Sequence, residues 1–192
     1  MKLFGLYKIR VLFKYKFLWR RKMVKIILSM SFIIGSVMAI ELGKVPSPVT
    51  LSGDNGAKID GSAWSSSMLK GKIYTLFYVD PDKKDLNDAL ANALKAKKFD
   101  RKKVDSVAII NLAATWLPNA LIESKLKDKQ KKFPDTIYVK DKKKVLVNKW
   151  KLADDNSDIL IFDKKGKLIY KKFGKVSASE IKSVIALIEK NL

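Results

Sequence analysis

Two short aspartate-rich segments carry the side chains with the clearest capacity for chemistry in this sequence. Each segment holds three aspartates within six residues, and the second also holds Asn156 and Ser157. The six candidate metal ligands are Asp80, Asp82, Asp85, Asp154, Asp155 and Asp158. Carboxylate oxygens are the ligands that calcium and other hard divalent cations prefer. A calcium-type protein or a metal-dependent enzyme is therefore one interpretation, provided that the fold brings the two segments together.

The same aspartates also have an ordinary structural explanation. Asp82 and Asp85 stand where they can cap the start of a helix, and Asp154 and Asp155 are typical turn formers. Their spacing lacks the regular Asp-x-Asp-x-Asp-Gly order of a calcium loop. We therefore favour the structural explanation and predict no cofactor, with calcium as the alternative.

Several catalytic chemistries are excluded because the sequence contains neither cysteine nor histidine. Without cysteine there is no thiolate for disulfide exchange, nucleophilic attack or zinc binding. Without histidine, the Ser-His-Asp arrangement is impossible. A disulfide oxidoreductase is therefore excluded, and whether the protein is an enzyme of another class stays undecided.

Lysine dominates the charge of the chain. The formal net charge is +21, and only four of the 40 basic residues are arginine. Lysine clusters occur at residues 95–98, 101–103, 125–132 and 140–144. Because bidentate recognition of phosphates and bases favours arginine, we predict no nucleic-acid partner. The clusters suit either an anionic membrane surface or an acidic partner, or they are simply solvated helix edges and loops.

The first 39 residues have the pattern of a leader. They hold nine cations and no acid, and an apolar run from Ile26 to Met38 ends at Ala39. This pattern predicts a signal peptide that is cleaved after Ala39, and hence a periplasmic or otherwise exported protein. The alternative is an inner-membrane anchor formed by residues 24–40, although its fifteen apolar residues are fewer than the about 20 needed to span a bilayer.

Residues 1–22 precede a second possible translation start at Met23. They interleave aromatic residues with basic ones, whereas Met23 opens a basic, apolar and small-residue sequence of its own. One interpretation is that translation begins at Met23, or that residues 1–22 merely lengthen the basic start of the leader; the other is that they form a basic amphipathic segment at a membrane surface. In either case the domain division is a leader at 1–39 and one folded domain at 40–192.

Residues 40–192 alternate between strand and helix patterns. The continuous apolar and β-branched run Ile73–Val79 is typical of a strand that is buried on both faces. Around it we predict a hairpin of 49–52 with 57–59, a helix over 85–97, a strand over 104–112, a helix over 118–133, a strand pair of 136–139 with 144–147, a hairpin of 159–162 with 168–170, and a last helix capped by Ser177 or Ser179.

This order of elements resembles the YtfJ family of exported proteins within the thioredoxin-like superfamily. The residues that carry the resemblance are Gly71-Lys72, Ile109-Ile110-Asn111, Trp150-Lys151-Leu152 and the hairpin phrase at 160–167. The resemblance implies an α/β fold: a thioredoxin-like three-layer sandwich with a central mixed sheet flanked by helices, and an N-terminal β-hairpin extension.

The sequence departs from the redox members of that superfamily at the positions that carry their chemistry. Where those members have a Cys-x-x-Cys pair, this chain has Asp80-Pro81-Asp82-Lys83, and Asn156-Ser157-Asp158 stands near their cis-proline. The resemblance places the two acidic loops side by side, at the end of the sheet where ligands bind. The candidate ligand-binding residues are Asp80, Asp82, Asn111, Trp116, Asp155 and Ser157.

Trp116 has two interpretations. It follows a strand in an apolar loop and is a candidate partner contact. Alternatively, it packs in the core or at its rim, as Trp64 and Trp150 also would. Together these features predict a non-redox, thioredoxin-like binding or scaffold protein of the periplasm or envelope, whose partner is another envelope protein. The alternative is a metal-dependent protein or enzyme that uses the two acidic loops.

Overall fold

The computed structural model describes residues 39–192, apart from the side chains of residues 119, 120 and 123. The predicted signal peptide, the alternative start at Met23 and nearly all of the alternative anchor lie outside the described residues. Among residues 39–192, no helix is both long and apolar enough to cross a membrane.

The described chain forms a mixed α/β domain. Its elements, in chain order, are β1 (Thr50–Leu51), β2 (Gly56–Lys58), β3 (Trp64–Ser65), β4 (Ile73–Val79), α1 (Asp88–Lys97), β5 (Val104–Asn111), α2 (Asn119–Lys132), β6 (Thr136–Asp141), α3 (Val145–Trp150), β7 (Ser157–Phe162), β8 (Leu168–Phe173) and α4 (Ala178–Lys190).

The run Ile73–Val79 lies in the middle of a six-stranded sheet, as predicted. The strand order is β2-β6-β5-β4-β7-β8, and β4 is parallel to β5 and antiparallel to β7. Six of the seven residues of β4 are buried, because the sheet is covered on both faces. Parallel pairing of β4, β5 and β6 brings their carboxyl ends to one edge of the sheet.

Each face of the sheet has its own apolar core. On one face, Leu76 and Leu160 pack with Trp64 of β3 and Trp150 of α3. On the other face, residues of β4, β5 and β7 pack against α1, α2 and α4. The three-layer sandwich predicted from the sequence is therefore confirmed, and both Trp64 and Trp150 are core residues.

The N-terminal hairpin forms with a different partner from the predicted one. Strand β1 pairs with β3, whereas the segment predicted to return along β1 is β2, which pairs with β6. Gly56 explains the change, because a Cβ at this position would lie 1.8 Å from the carbonyl oxygen of Lys140. Only glycine allows the backbone to approach β6 this closely, so β2 joins the edge of the main sheet.

The predicted strand at 144–147 is wrong, because these residues open helix α3. Lys144 has a left-handed backbone (φ 53°), and the chain then turns directly into the helix. Asp141 accepts hydrogen bonds from the backbone N–H groups of Val145 (2.9 Å) and Leu146 (3.0 Å). A short apolar run does not distinguish strand from helix, and here the buried carboxylate decides the outcome.

Helix α4 begins where the sequence predicts. The Ser177 hydroxyl accepts the N–H of Glu180, and the Glu180 carboxylate accepts the N–H of Ser177, which together form a capping box. The helix buries Val184 and Ile188 against the sheet. Of the two predicted caps, Ser177 is the one used.

Candidate functional site

Three loops meet at the edge of the sheet where β4 and β5 end and β7 begins. We call this region the loop edge and define it as residues 80–87, 112–118 and 151–157. The N–H of Asp80 donates to the carbonyl of Asn156 (2.8 Å), which joins the two acidic loops. The Asn111 amide, at the end of β5, donates to Asp154 Oδ1 (3.0 Å). The two acidic loops therefore lie side by side.

The six candidate ligand-binding residues divide into two groups by exposure. Asp82, Asp155 and Trp116 are exposed, and their side chains are available to a partner. Asp80, Asn111 and Ser157 are each no more than 2% exposed. The structure thus places three candidates on the surface and three beneath it.

The three buried candidates hold the loops in place. Asp80 Oδ1 accepts the N–H of Asp82 (2.8 Å) and caps a single 3-10 turn over Pro81–Lys83. The Ser157 hydroxyl accepts a hydrogen bond from Asn87 (3.0 Å). These contacts position the loop backbone, so the exposed candidates are presented on a fixed support.

Asn87 is a positioning residue that the sequence analysis missed. It is 5% exposed, and its amide donates to Ser157 and to the Gly174 carbonyl (3.1 Å), while its own Oδ1 accepts the N–H of Val176 (2.9 Å). It therefore joins the start of α1 to the start of β7 and the segment before α4. From the sequence alone, Asn87 indicates no more than a nearby helix start. The structure shows that α1 begins at Asp88, and that neither Asp82 nor Asp85 caps it.

Trp116 is the largest apolar side chain presented at the loop edge. It is 87% exposed, whereas Trp64 and Trp150 are fully buried, so core packing does not explain it. The Leu117 N–H donates to the Thr115 hydroxyl (3.2 Å), which fixes the turn around the indole. An exposed tryptophan on a constrained loop is a typical contact residue, because its apolar surface is large and its conformational entropy is small.

The six candidate metal ligands do not converge on one point. Asp85 binds Lys84 (2.5 Å) and Lys129 (3.1 Å), and Asp154 binds Lys144 (2.6 Å). Asp158 faces inward, and its Oδ2 accepts the N–H of Ala153 (2.8 Å). Within residues 39–192, no three acidic side chains are grouped so that they can hold a metal ion. The calcium interpretation therefore gains no support from this geometry.

The buried and the exposed acids of the two aspartate-rich segments differ in their electrostatics. Burial raises the pKa of Asp158 to about 7, although the hydrogen bond from Ala153 acts in the opposite direction. Burial also raises the pKa of Asp80. By contrast, the hydrogen bond from Lys144 lowers the pKa of Asp154, and the one from Lys84 lowers the pKa of Asp85. Negative charge is thus held at the surface, where lysines face it.

A buried polar contact fixes α3 beside the loop edge. The Tyr78 hydroxyl donates to Asp141 Oδ2 (3.1 Å), and neither side chain is more than 1% exposed. Burial, followed by the nearby Asp141 charge, raises the pKa of Tyr78 above its ordinary value. The hydroxyl therefore remains a donor, and Asp141 links β4 to the start of α3.

The chain matches a protein family over most of the described residues. The family model is described as "Bacterial protein of unknown function (YtfJ_HI0045)" and matches residues 49–191. An uncharacterised protein of Haemophilus influenzae is 29% identical over 128 residues, which are 65% of this chain and 70% of that protein. The uncharacterised protein YtfJ of Escherichia coli is 26% identical over 133 residues, or 67% of this chain and 72% of that protein.

Solved structures show the same fold at low sequence identity. The thioredoxin domain of a thiol-disulfide oxidoreductase from Bacteroides vulgatus is 15% identical with a TM-score of 0.58, and the match covers 78% of this chain and 99% of that chain. The exposed lipoprotein thioredoxin Etrx1 of Streptococcus pneumoniae is 15% identical with a TM-score of 0.53, and the match covers 75% and 99%. The fold is therefore thioredoxin-like.

Proposed function

Because the chain belongs to the YtfJ_HI0045 family of bacterial proteins and has a thioredoxin-like fold without cysteine, we propose that it is a non-redox binding module of the cell envelope. Disulfide exchange requires a thiolate, and this chain has none. Thioredoxin-like domains act through the loops at this edge of the sheet. Without redox chemistry, binding through the loop edge is the activity that we propose.

The exposed Trp116 is the observation that carries the proposal. An indole that is 87% exposed loses unfavourable contact with water when a partner covers it. Asp82 and Asp155 add exposed carboxylates at the same edge of the sheet. The partner is therefore a protein with an apolar pocket for the indole and a rim of donors or cations, and we propose that it resides in the envelope.

The proposed location rests on the leader and on the residue that follows it. Ile40 is 3% exposed, its N–H donates to the Trp150 carbonyl (3.1 Å), and its carbonyl accepts a hydrogen bond from Lys171 (2.9 Å). Cleavage after Ala39 would thus leave an N-terminal residue whose side chain completes the core. The folded domain and the proposed mature chain would begin at the same residue.

N-terminal sequencing of the protein from an envelope fraction is expected to give Ile40 as the first residue. This result is expected because Val37 and Ala39 suit the positions before a signal-peptidase site. From Ile40 onward the chain is part of the folded domain, where the Ile40 N–H donates to the Trp150 carbonyl. Recovery of a chain that starts upstream of Ala39, in the membrane fraction, would instead support the anchor formed by residues 24–40. Recovery in the cytoplasm would contradict both locations.

Replacing Trp116 by alanine is expected to reduce partner capture at least fivefold without changing thermal stability. The indole makes little contact with its own domain, so its loss should move the melting temperature by no more than about 1 °C. A photo-crosslinking amino acid placed at Lys83, an exposed residue of the loop edge, captures the partner in intact cells, and the adduct yield is measured with and without W116A.

The matched control for W116A is Met68→Ala, because Met68 is an exposed apolar residue (38%) outside the loop edge. M68A should leave the yield unchanged. The captured protein is then purified and tested for direct binding to the wild-type chain and to W116A. Equal capture by wild type and W116A would remove the loop edge as the binding surface.

A further inference from the structure

A second candidate site adjoins the loop edge, since Pro81, Lys84 and Leu117 are among the residues that line it. It is a cleft of about 620 Å³ between helices α1 and α2, with strands β4, β5 and β6 as its floor. This volume lies within the about 300–1,000 Å³ that small-molecule sites occupy. The cleft exists because Thr75, Ser106 and Ala108, which face it from the floor, have small side chains.

The interior of the cleft is apolar and incompletely covered. Phe77, Leu94, Phe99, Leu117 and Phe133 line it, and all five remain partly exposed although they lie between packed elements. Apolar surface that stays in contact with water inside a concave site favours an apolar ligand. A hydrocarbon group of suitable length would cover these side chains.

The rim of the cleft is strongly cationic. Seven lysine or arginine side chains line it against three aspartates. The aspartates are already paired, since Asp88 binds Lys129 (2.7 Å), and both Asp105 (2.7 Å) and Asp135 (2.6 Å) bind Arg101. The rim therefore carries a net positive charge that the lining residues do not neutralise.

Two rim lysines stand out as candidates for an anionic group. Lys98 and Lys125 make no ion pair with any acidic side chain that the structure describes, and both are exposed at the mouth of the cleft. Lys98 follows the last residue of α1, and Lys125 lies on α2, so the two helices that form the walls each contribute one cation. Each wall therefore offers one cation, unpaired among the described acids, to an anionic head group.

We propose that the cleft binds a free long-chain carboxylate, with its hydrocarbon chain over Phe77 and its head group at a cation of the rim, for which Lys98 and Lys125 are the two candidates. The apolar interior selects the chain, and the cationic rim selects the anion. The leader of this protein is not a suitable occupant, because its nine cations would be repelled by the rim. A second copy of the domain is also unfavourable, because it carries the same excess of lysine. The cleft adjoins the loop edge, but binding of this ligand does not require the partner proposed there.

Titration calorimetry with laurate, myristate and palmitate, below the concentrations at which they aggregate, tests the proposal on the full chain. We expect saturable one-to-one binding that tightens by about fourfold with each added CH₂ group. The 1-alkanol of the same length lacks the charge and is expected to bind about tenfold more weakly. A Kd that does not change with chain length, or equal binding of the alcohol, would overturn the assignment.

Two variants distinguish the cleft from the rest of the lysine-rich surface. The double variant Lys98→Asn with Lys125→Gln is expected to weaken palmitate binding about tenfold. Asparagine is chosen because residue 98 has a left-handed backbone (φ 48°) that asparagine tolerates. The control, Lys149→Gln with Lys165→Gln, removes two exposed lysines outside the cleft and should leave the Kd unchanged.

A third variant fills the cleft itself. Ala91 lies on the α1 wall and is only partly buried, so Ala91→Phe is expected to abolish palmitate binding while the melting temperature stays within a few degrees of wild type. If A91F does not fold, the lysine variants still decide the question. Unchanged palmitate binding in K98N/K125Q would overturn the proposal. Binding to anionic vesicles without any binding of free palmitate would also overturn it, because it would assign the lysines to a membrane surface.

Discussion

Asp141→Ala is expected to lower the free energy of unfolding by about 3–5 kcal/mol, because one fully buried carboxylate satisfies four donors. Asp141 accepts hydrogen bonds from the Tyr78 hydroxyl and from the N–H groups of Lys143, Val145 and Leu146, at distances of 2.9–3.2 Å. Alanine would leave these donors without partners and would remove the cap of α3. Urea unfolding followed by circular dichroism measures the effect.

Two further variants separate the parts of this network. Tyr78→Phe removes a single donor and is expected to cost about 1–2 kcal/mol. Asp60→Ala is the control, because Asp60 is exposed and its carboxylate accepts hydrogen bonds from the neighbouring Ser62, so its loss should have a much smaller effect than the loss of Asp141. An Asp141→Ala variant that is no less stable than the Asp60 control would show that α3 does not depend on this carboxylate.

Asp158→Asn is expected to stabilise the protein at pH 8 by about 2–3 kcal/mol and to have little effect at pH 4. Burial raises the pKa of Asp158 from an ordinary 3.8 to about 7 in the folded chain. Between these values the folded chain keeps a proton that the unfolded chain has lost. The contribution of Asp158 to stability is therefore complete below pH 3.8 and is lost as the pH rises towards 7. A shift of this size corresponds to at most about 4 kcal/mol.

The comparison of wild type with D158N isolates this single carboxyl. Other acids respond to pH in the opposite direction, because lysine partners lower the pKa of Asp85 and Asp154. Their effects cancel in the difference between the two proteins. Asp155→Asn, on the exposed part of the same loop, is the control and should change the stability at pH 8 far less than D158N does. A D158N difference that is constant from pH 4 to pH 8 would contradict the raised pKa.

The sequence predicts the central layer of this fold well, because burial on both faces leaves a direct trace in composition. Every position of Ile73–Val79 had to suit an apolar environment, so the run is continuous and its role is unambiguous. The start of α4 was predicted for a similar reason, since the cap at Ser177 is a local interaction between residues three apart.

The errors arose where a distant partner decides the local structure. The residues of α3 suit a strand equally well, and the helix forms because Asp141 caps it from the end of β6. Strand β2 joins β6 because of a backbone approach at Gly56 that is visible only in three dimensions. Local patterns record propensity and periodicity, whereas these outcomes depend on tertiary contacts.

The sequence analysis predicted where the candidate site lies but not which of its side chains are exposed. The sequence and its resemblance brought the acidic loops together, but they did not indicate which aspartates would be buried. Asp80 and Asp158 lie inside the molecule, whereas Asp82 and Asp155 are exposed, although all four belong to the same short segments. The cleft between α1 and α2 was not predicted, because it results from small side chains on separate strands.

The docked position of Ile40 sets an order of events for export. A signal peptidase must hold the chain around its cleavage site in an extended form, yet Ile40 is enclosed by the fold and bonded through both of its backbone polar groups. If cleavage occurs after Ala39, it must precede the final stage of folding, while the peptide bond is still accessible. A chain that folded first would protect that bond and keep its leader, so the relative speeds of processing and folding would determine which form of the protein the cell contains.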